Sequence, residues 1–164
     1  MKRAIFLDRD GTINIDGKYI VKKEQFFWLP DAIEAIQYIN EHGALAIVVT
    51  NQSGVARGYF TETDVVKLHD YINKELNKYG AHIDGFYFCP HHPEATVQEY
   101  RKDCDCRKPK PGLLLQAAKD HDIDLQHSVM IGDMERDVLC GRNAGVLGVR
   151  YVGGSLLDLV RKFI

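Results

Sequence analysis

Two aspartates stand two residues apart in Asp8-Arg9-Asp10-Gly11-Thr12, directly after the short apolar run at 3–7. Side chains alternate along extended chain, so Asp8 and Asp10 leave such a strand pointing the same way. Carboxylates crowded on one side repel unless a cation lies between them or one keeps a proton. Gly11 gives the tight backbone that lets peptide N–H groups approach an anion, and Thr12 follows. An acidic surface turn after a strand would read the same in isolation, so partner residues decide the matter. They recur. Thr50 and Asn51 follow the apolar run 44–49, Lys108 lies beyond the run 85–88, and Gly132-Asp133 with Asp137 follows the run 128–131. Singly, Thr50 fits a strand-end hydroxyl, Lys108 a surface cation and Asp133 a helix N-cap. Jointly they fit phosphoryl chemistry. Asp8 and Asp133 can share a hard divalent cation such as Mg²⁺ through oxygen, leaving positions for water and a substrate phosphate. Thr50 and Lys108 can then hold the remaining phosphoryl oxygens, and positioning with charge neutralisation is most of what that reaction needs.

Three of the four cysteines fall within eighteen residues. Cys89-x-His91 and Cys104-x-Cys106 supply three soft thiolates and one imidazole, the ligand set of a closed, structural zinc site. His92 replaces His91 on spacing alone. Two free thiols on a loop are the alternative reading, but little else would order a polar segment of this length. Cys140 falls in a helical pattern and reads as packing.

The elements that must position these groups alternate. Apolar runs at 3–7, 44–49, 85–88, 128–131 and 147–152 read as strands, and 3.6-residue patterns at 30–42, 61–79, 111–121, 134–143 and 155–163 read as helices. Residues 15–27 read as a loop. Strands separated by helices predict an α/β fold, a doubly wound parallel sheet in one domain spanning 1–164. Ligands in such sheets bind beyond the carboxyl ends of the strands, which is where the four polar segments fall. The gaps between them hold no insertion large enough for a lid domain, so a capless, open site with a zinc-binding loop is expected.

The chain has 164 residues, 45% hydrophobic and 27% charged, with net charge −2. That charge, with no basic stripe, argues against a nucleic-acid ligand or an anionic membrane surface. No apolar run approaches the roughly 20 residues of a membrane span, and the first residues run into strand without a signal-like segment. A cytoplasmic monomer acting on a small molecule is expected.

In their order and spacing, Asp8-x-Asp10-Gly11-Thr12, Thr50, Lys108 and Gly132-Asp133-x-x-x-Asp137 resemble the four motifs of the haloacid dehalogenase (HAD) superfamily of phosphohydrolases. The resemblance implies Asp8 as the nucleophile that forms an aspartyl-phosphate. It implies Asp10 as the acid for the leaving alkoxide and then the base for water. Mg²⁺ would be held by Asp8, Asp133 and the backbone carbonyl of Asp10, with Thr50 and Lys108 on the phosphoryl oxygens. Asp137 would orient Lys108 or the metal's waters. Within the superfamily, Cys106-Arg107-Lys108-Pro109 and the stretch Val49 to Gly58 are similar to the heptose-bisphosphate phosphatases and the related histidinol-phosphate phosphatases. Ser53-Gly54-x-Ala56-Arg57-Gly58 and Cys89-Pro90-His91-His92-Pro93 favour the heptose branch. That branch implies removal of the 7-phosphate of a phosphorylated sugar, a heptose 1,7-bisphosphate, for lipopolysaccharide core or nucleotide-heptose synthesis.

The second phosphate of such a substrate needs its own cation, and Arg107 is the candidate, with Arg57 or Lys18 beside it. Gly11, Asp16, Tyr19, Asn51, Gln52 and Ser53 complete the expected contacts. Trp28, Tyr19, Tyr59 and Phe60 offer faces for a sugar or anchors for loops. Met134 stands where relatives often carry a lysine, and no longer C-terminal segment supplies a further substrate wall. Two other readings compete: hydrolysis of histidinol phosphate, whose amine would waste or repel a cation such as Arg107, and a non-catalytic, zinc-stabilised module for a phosphorylated ligand.

Overall fold

The computed structural model describes residues 1–164. Its five strands, β1 (Ala4–Leu7), β2 (Leu45–Asn51), β3 (Gly85–Cys89), β4 (Val129–Gly132) and β5 (Leu147–Arg150), form one parallel sheet in the order β3-β2-β1-β4-β5. Helices α1 (Ala32–Glu41), α2 (Glu62–Asn77), α3 (Gly112–His121), α4 (Glu135–Asn143) and α5 (Leu156–Arg161) connect and close it. Strand β2 runs two residues further than its apolar run, because Thr50 and Asn51 still pair with Phe88 and Cys89. The last strand stops at Arg150, short of the expected 152.

The period-2 alternation of the strands sorts the core into two layers. Ile5 and Leu7 of β1, with Ala46 and Val48 of β2, face α1, α2 and α5, where Ile36, Ile39, Leu68, Ile72 and Val160 are buried. Ala4 and Phe6, with Ile47 and Val49, face α3 and α4 through Leu113, Leu114, Ala117 and Cys140. Thr61 caps α2 as its sequence indicates: its hydroxyl accepts from Asp64 N–H at 3.2 Å and Asp64 accepts from Thr61 N–H at 2.9 Å. Asp31 does something less local. It precedes α1 but its carboxylate accepts from the N–H groups of Leu156 and Leu157, at 2.9 and 3.3 Å, and so ties α5 to the start of α1. No helix is long and apolar enough to cross a membrane.

His69 of α2 lies buried against the sheet, stacked on Phe86 at 4.4 Å. Burial, reinforced by Arg9, pulls its pKa from 6.5 down to about 3. Above pH 6.5 neither the folded nor the unfolded chain protonates it; below that, only the unfolded chain does, so stability falls as pH falls. Between pH 7 and pH 5 this residue alone removes about 2 kcal/mol, at ~1.4 kcal/mol per pH unit below the unfolded value. Urea unfolding of His69→Gln and the parent at both pH values checks it: the variant loses less stability on acidification, and parallel losses would refute it.

Candidate active site

Strand order reverses at β1: the chain steps outward through β2 to β3, then returns to place β4 on the other side of β1. The crevice at such a reversal is where parallel sheets hold ligands. Asp8 leaves β1 and Asp133 leaves β4, so both enter it from adjacent strands, with Thr50 at the end of β2. A cavity of about 580 Å³ opens there, lined among others by Asp8, Asp10, Thr50 and Asp133.

Lys108 comes from the loop between β3 and α3 and is no surface cation. Its side chain is 1% exposed, and its Nζ lies 2.8 Å from Asp8 Oδ1 and 2.7 Å from Asp137 Oδ1, donating also to the Val49 carbonyl at 2.8 Å. Burial works against its charge, but Asp8 and Asp137 outweigh it and hold the ammonium above its usual pKa. Asp8 is pushed up to about 7, first by burial, against Lys108, with Asp137 and Asp10 adding repulsion. The second oxygen of Asp137 accepts from the Met134 N–H at 3.0 Å, so Asp137 starts α4 and orients Lys108 at once. Met134, not Asp133, occupies the N-cap position.

The donors fit a divalent cation. Ligand oxygens of Asp8, Asp133 and Asp137 lie within 4.8 Å of one another, three acids against the one ammonium of Lys108. Asp133 Oδ1 is buried without a hydrogen-bond partner, a costly state unless a cation meets it. Gly11, at φ +88°, runs so close that a Cβ would fall 2.2 Å from Asp133 Oδ2, which explains the glycine. The second cluster fits zinc. The sulfurs of Cys89, Cys104 and Cys106 lie 2.6–3.5 Å apart and His91 Nδ1 lies 3.4–3.7 Å from two of them. Cys89 is pulled down to about 5, first by the thiol of Cys106, and Cys106 is pushed up by Cys89 and burial. His92 accepts from the Glu94 N–H at 3.0 Å, and it is His91 that lies with the cysteines.

Asp16, Lys18, Tyr19, Asn51, Gln52 and Ser53 line the cavity as expected. Several have further duties. The Asn51 amide accepts from Lys108 N–H at 3.0 Å and donates to Lys108 O at 3.3 Å, and Gln52 donates to Asp10 and Thr50. Gly11 lines a neighbouring cavity on the far side of Asp133. Arg107 and Arg57 lie outside the main cavity wall. Arg107 reaches back to the His91 carbonyl at 3.5 Å, and Arg57 sits 5.8 Å over the Tyr19 ring. Phe60 is buried beside Val55 and Val65, and Trp28 packs edge-on against Phe26, so both anchor loops. Tyr19 and Tyr59 meet edge to face at 4.8 Å in the cavity wall. Sequence reading missed Arg136, which also lines the cavity and belongs to none of the ion pairs. Its position three residues after Asp133, in the first turn of α4, was the available signal.

The chain is 50% identical over 146 residues to D-glycero-beta-D-manno-heptose-1,7-bisphosphate 7-phosphatase of Pasteurella multocida, covering 89% of this chain and 79% of that protein. The chain belongs to the heptose-bisphosphate phosphatase branch of the HAD superfamily. The like-named protein of Rhodopseudomonas palustris is 44% identical over 161 residues, with 98% and 89% covered. A HAD-hydrolase-like family model matches residues 105–156 of this HAD phosphatase. The crystal structure of D,D-heptose 1,7-bisphosphate phosphatase from B. bronchiseptica, complexed with magnesium and phosphate, superposes with a TM-score of 0.82 at 33% identity, covering 99% of this chain and 85% of that one.

Proposed function

We propose that this phosphatase removes the 7-phosphate of D-glycero-D-manno-heptose 1,7-bisphosphate through an aspartyl-phosphate on Asp8. The observation that carries the reading is the buried ammonium of Lys108 held between Asp8 and Asp137, at the crevice where Thr50 and Asp133 also arrive. A carboxylate oxygen of Asp8 attacks phosphorus as the bond to the sugar oxygen breaks, and Asp10 passes a proton to that oxygen. Asp10 then takes a proton from the water that attacks the acyl phosphate, releasing inorganic phosphate and restoring Asp8. Lys108 and the Thr50 hydroxyl meet the phosphoryl oxygens throughout. Mg²⁺ on Asp8, Asp133 and the carbonyl of Asp10 would neutralise charge on the transferring group. Zinc on Cys89, His91, Cys104 and Cys106 would be structural, fixing the loop that carries Lys108. A heptose 1-phosphate product would suit lipopolysaccharide core or nucleotide-heptose synthesis.

For the second phosphate, Arg136 joins Arg107 as the cation of choice. Arg107 is held below its usual pKa by burial and then by Arg136, with Arg57 adding to this, so Arg107 lies in the field of two other guanidiniums. An anion there would relieve that repulsion, whereas the amine of histidinol phosphate would add to it. With Mg²⁺ present, the parent enzyme is expected to hydrolyse the heptose bisphosphate at least about tenfold more efficiently than histidinol phosphate. Arg136→Gln should raise KM for the bisphosphate by about tenfold, the worth of one charge-assisted hydrogen bond. Its turnover of histidinol phosphate should hold within about twofold. Faster turnover of histidinol phosphate by the parent would overturn the substrate assignment.

A further inference from the structure

Asp10 is gripped at both carboxylate oxygens. Arg9 Nε and Asn14 Nδ2 donate to Oδ1, each at 3.0 Å, while Arg9 Nη2 and Gln52 Nε2 donate to Oδ2 at 3.1 and 3.2 Å. Arg9 is fully buried and is the bulkiest side chain so buried in the molecule. A charge placed there needs partners at every face. Nη2 also donates to the Ile20 carbonyl at 2.8 Å, and Nη1 lies 3.2 Å from His69 Nε2. Guanidinium nitrogens only donate, so the imidazole nitrogen accepts, which requires a neutral ring protonated at Nδ1. The ring is held in place by its stack on Phe86 of β3, at an interplanar angle of 13°. A continuous line of contacts thus runs from the sheet edge through His69 and Arg9 to a carboxyl group in the cavity wall.

We propose that Arg9 and His69 are positioning residues for Asp10: His69 sets the plane of the guanidinium, and the guanidinium's forked donors set the plane and rotamer of the carboxyl group that faces the leaving oxygen. A fork fixes orientation in a way a point charge does not. The proposal rests on the reading of Asp10 as the general acid, and leaving-group chemistry separates the two. The value of kcat/KM reports transfer of the phosphoryl group to Asp8, and only a poor leaving group needs a proton in that step. The ratio of kcat/KM for a sugar phosphate to that for p-nitrophenyl phosphate is independent of how much of a preparation is folded.

Asp10→Asn is expected to lower kcat/KM for the heptose bisphosphate by about 10²-fold or more, and for p-nitrophenyl phosphate by less than about fivefold. Arg9→Lys and His69→Phe should show the same split, at about 10-fold to 100-fold on the sugar ester. His69→Gln, whose amide oxygen can accept from Arg9, should return the ratio to within about threefold of the parent. If Asp10→Asn affects both esters alike, the general-acid reading falls and takes the proposal with it. If Asp10→Asn shows the split while Arg9→Lys and His69→Phe leave the ratio unchanged, Asp10 keeps its role and the positioning proposal alone is overturned.

Discussion

Replacing Asp8 with asparagine is expected to abolish phosphate release, by about 10⁴-fold or more, in a protein that remains folded. The amide has nearly the same shape and keeps an oxygen for the Lys108 ammonium 2.8 Å away, and Asp137 still neutralises that ammonium from the other side. No buried cation is left without a partner, so the large penalty of breaking a buried ion pair does not arise. Burial already pushes the Asp8 carboxyl up to about 7, so removing its charge costs the fold little. What disappears is the anionic oxygen that can bond to phosphorus. Steady-state phosphate release and thermal melts of the same preparation check both halves: residual turnover above about 1% of the parent would mean that another group attacks.

Loss of the zinc site should be the most destructive change outside the crevice. Metal analysis of purified protein is expected to find about one zinc per chain, and Cys106→Ser should lose it. Cys106 lies two residues before Lys108, and the same loop is fastened to α3 where Gly112 N–H donates to the Asp105 carbonyl at 2.8 Å. A Cβ on Gly112 would fall 2.3 Å from that carbonyl, so the loop and the helix lie in direct contact. Without a cation to join them, the side chains of Cys104 and Cys106 no longer tie the loop to Cys89 at the end of β3. Stability should fall on the order of 5 kcal/mol, part of the roughly 10–16 kcal/mol that zinc contributes in isolated fingers. Turnover should fall about 10-fold to 100-fold, as when supports of an active group are removed. Zinc-free protein with parental turnover would detach the cluster from catalysis.

The sequence disclosed the scaffold because its signals are local. Apolar runs in β1, β2 and β4 are buried almost throughout, and the period of α1 to α3 is carried by Ile, Leu, Val and Ala at helical spacing. Asp8, Thr50, Lys108 and Asp133 were legible because each comes after an apolar run, and the ends of such runs converge in a parallel sheet. What escaped depends on partners far along the chain. Arg9 reads as a spacer between two acids until His69, sixty residues on, is seen beside it. Asp31 looks like an entry cap for α1, yet its carboxylate serves Leu156, 125 residues away. Arg107 sits next to Lys108 in sequence, but its loop turns it toward the His91 carbonyl, while Arg136 arrives at the cavity from α4. Adjacency along the chain did not translate into a shared place in the cavity wall.

The paired hydrogen bonds between the Asn51 amide and the main chain of Lys108 mimic one rung of a sheet, with a side chain in place of a sixth strand. The main chain that carries the amine is thereby tied directly to the strand end that carries the Thr50 hydroxyl, so both groups are held on one framework.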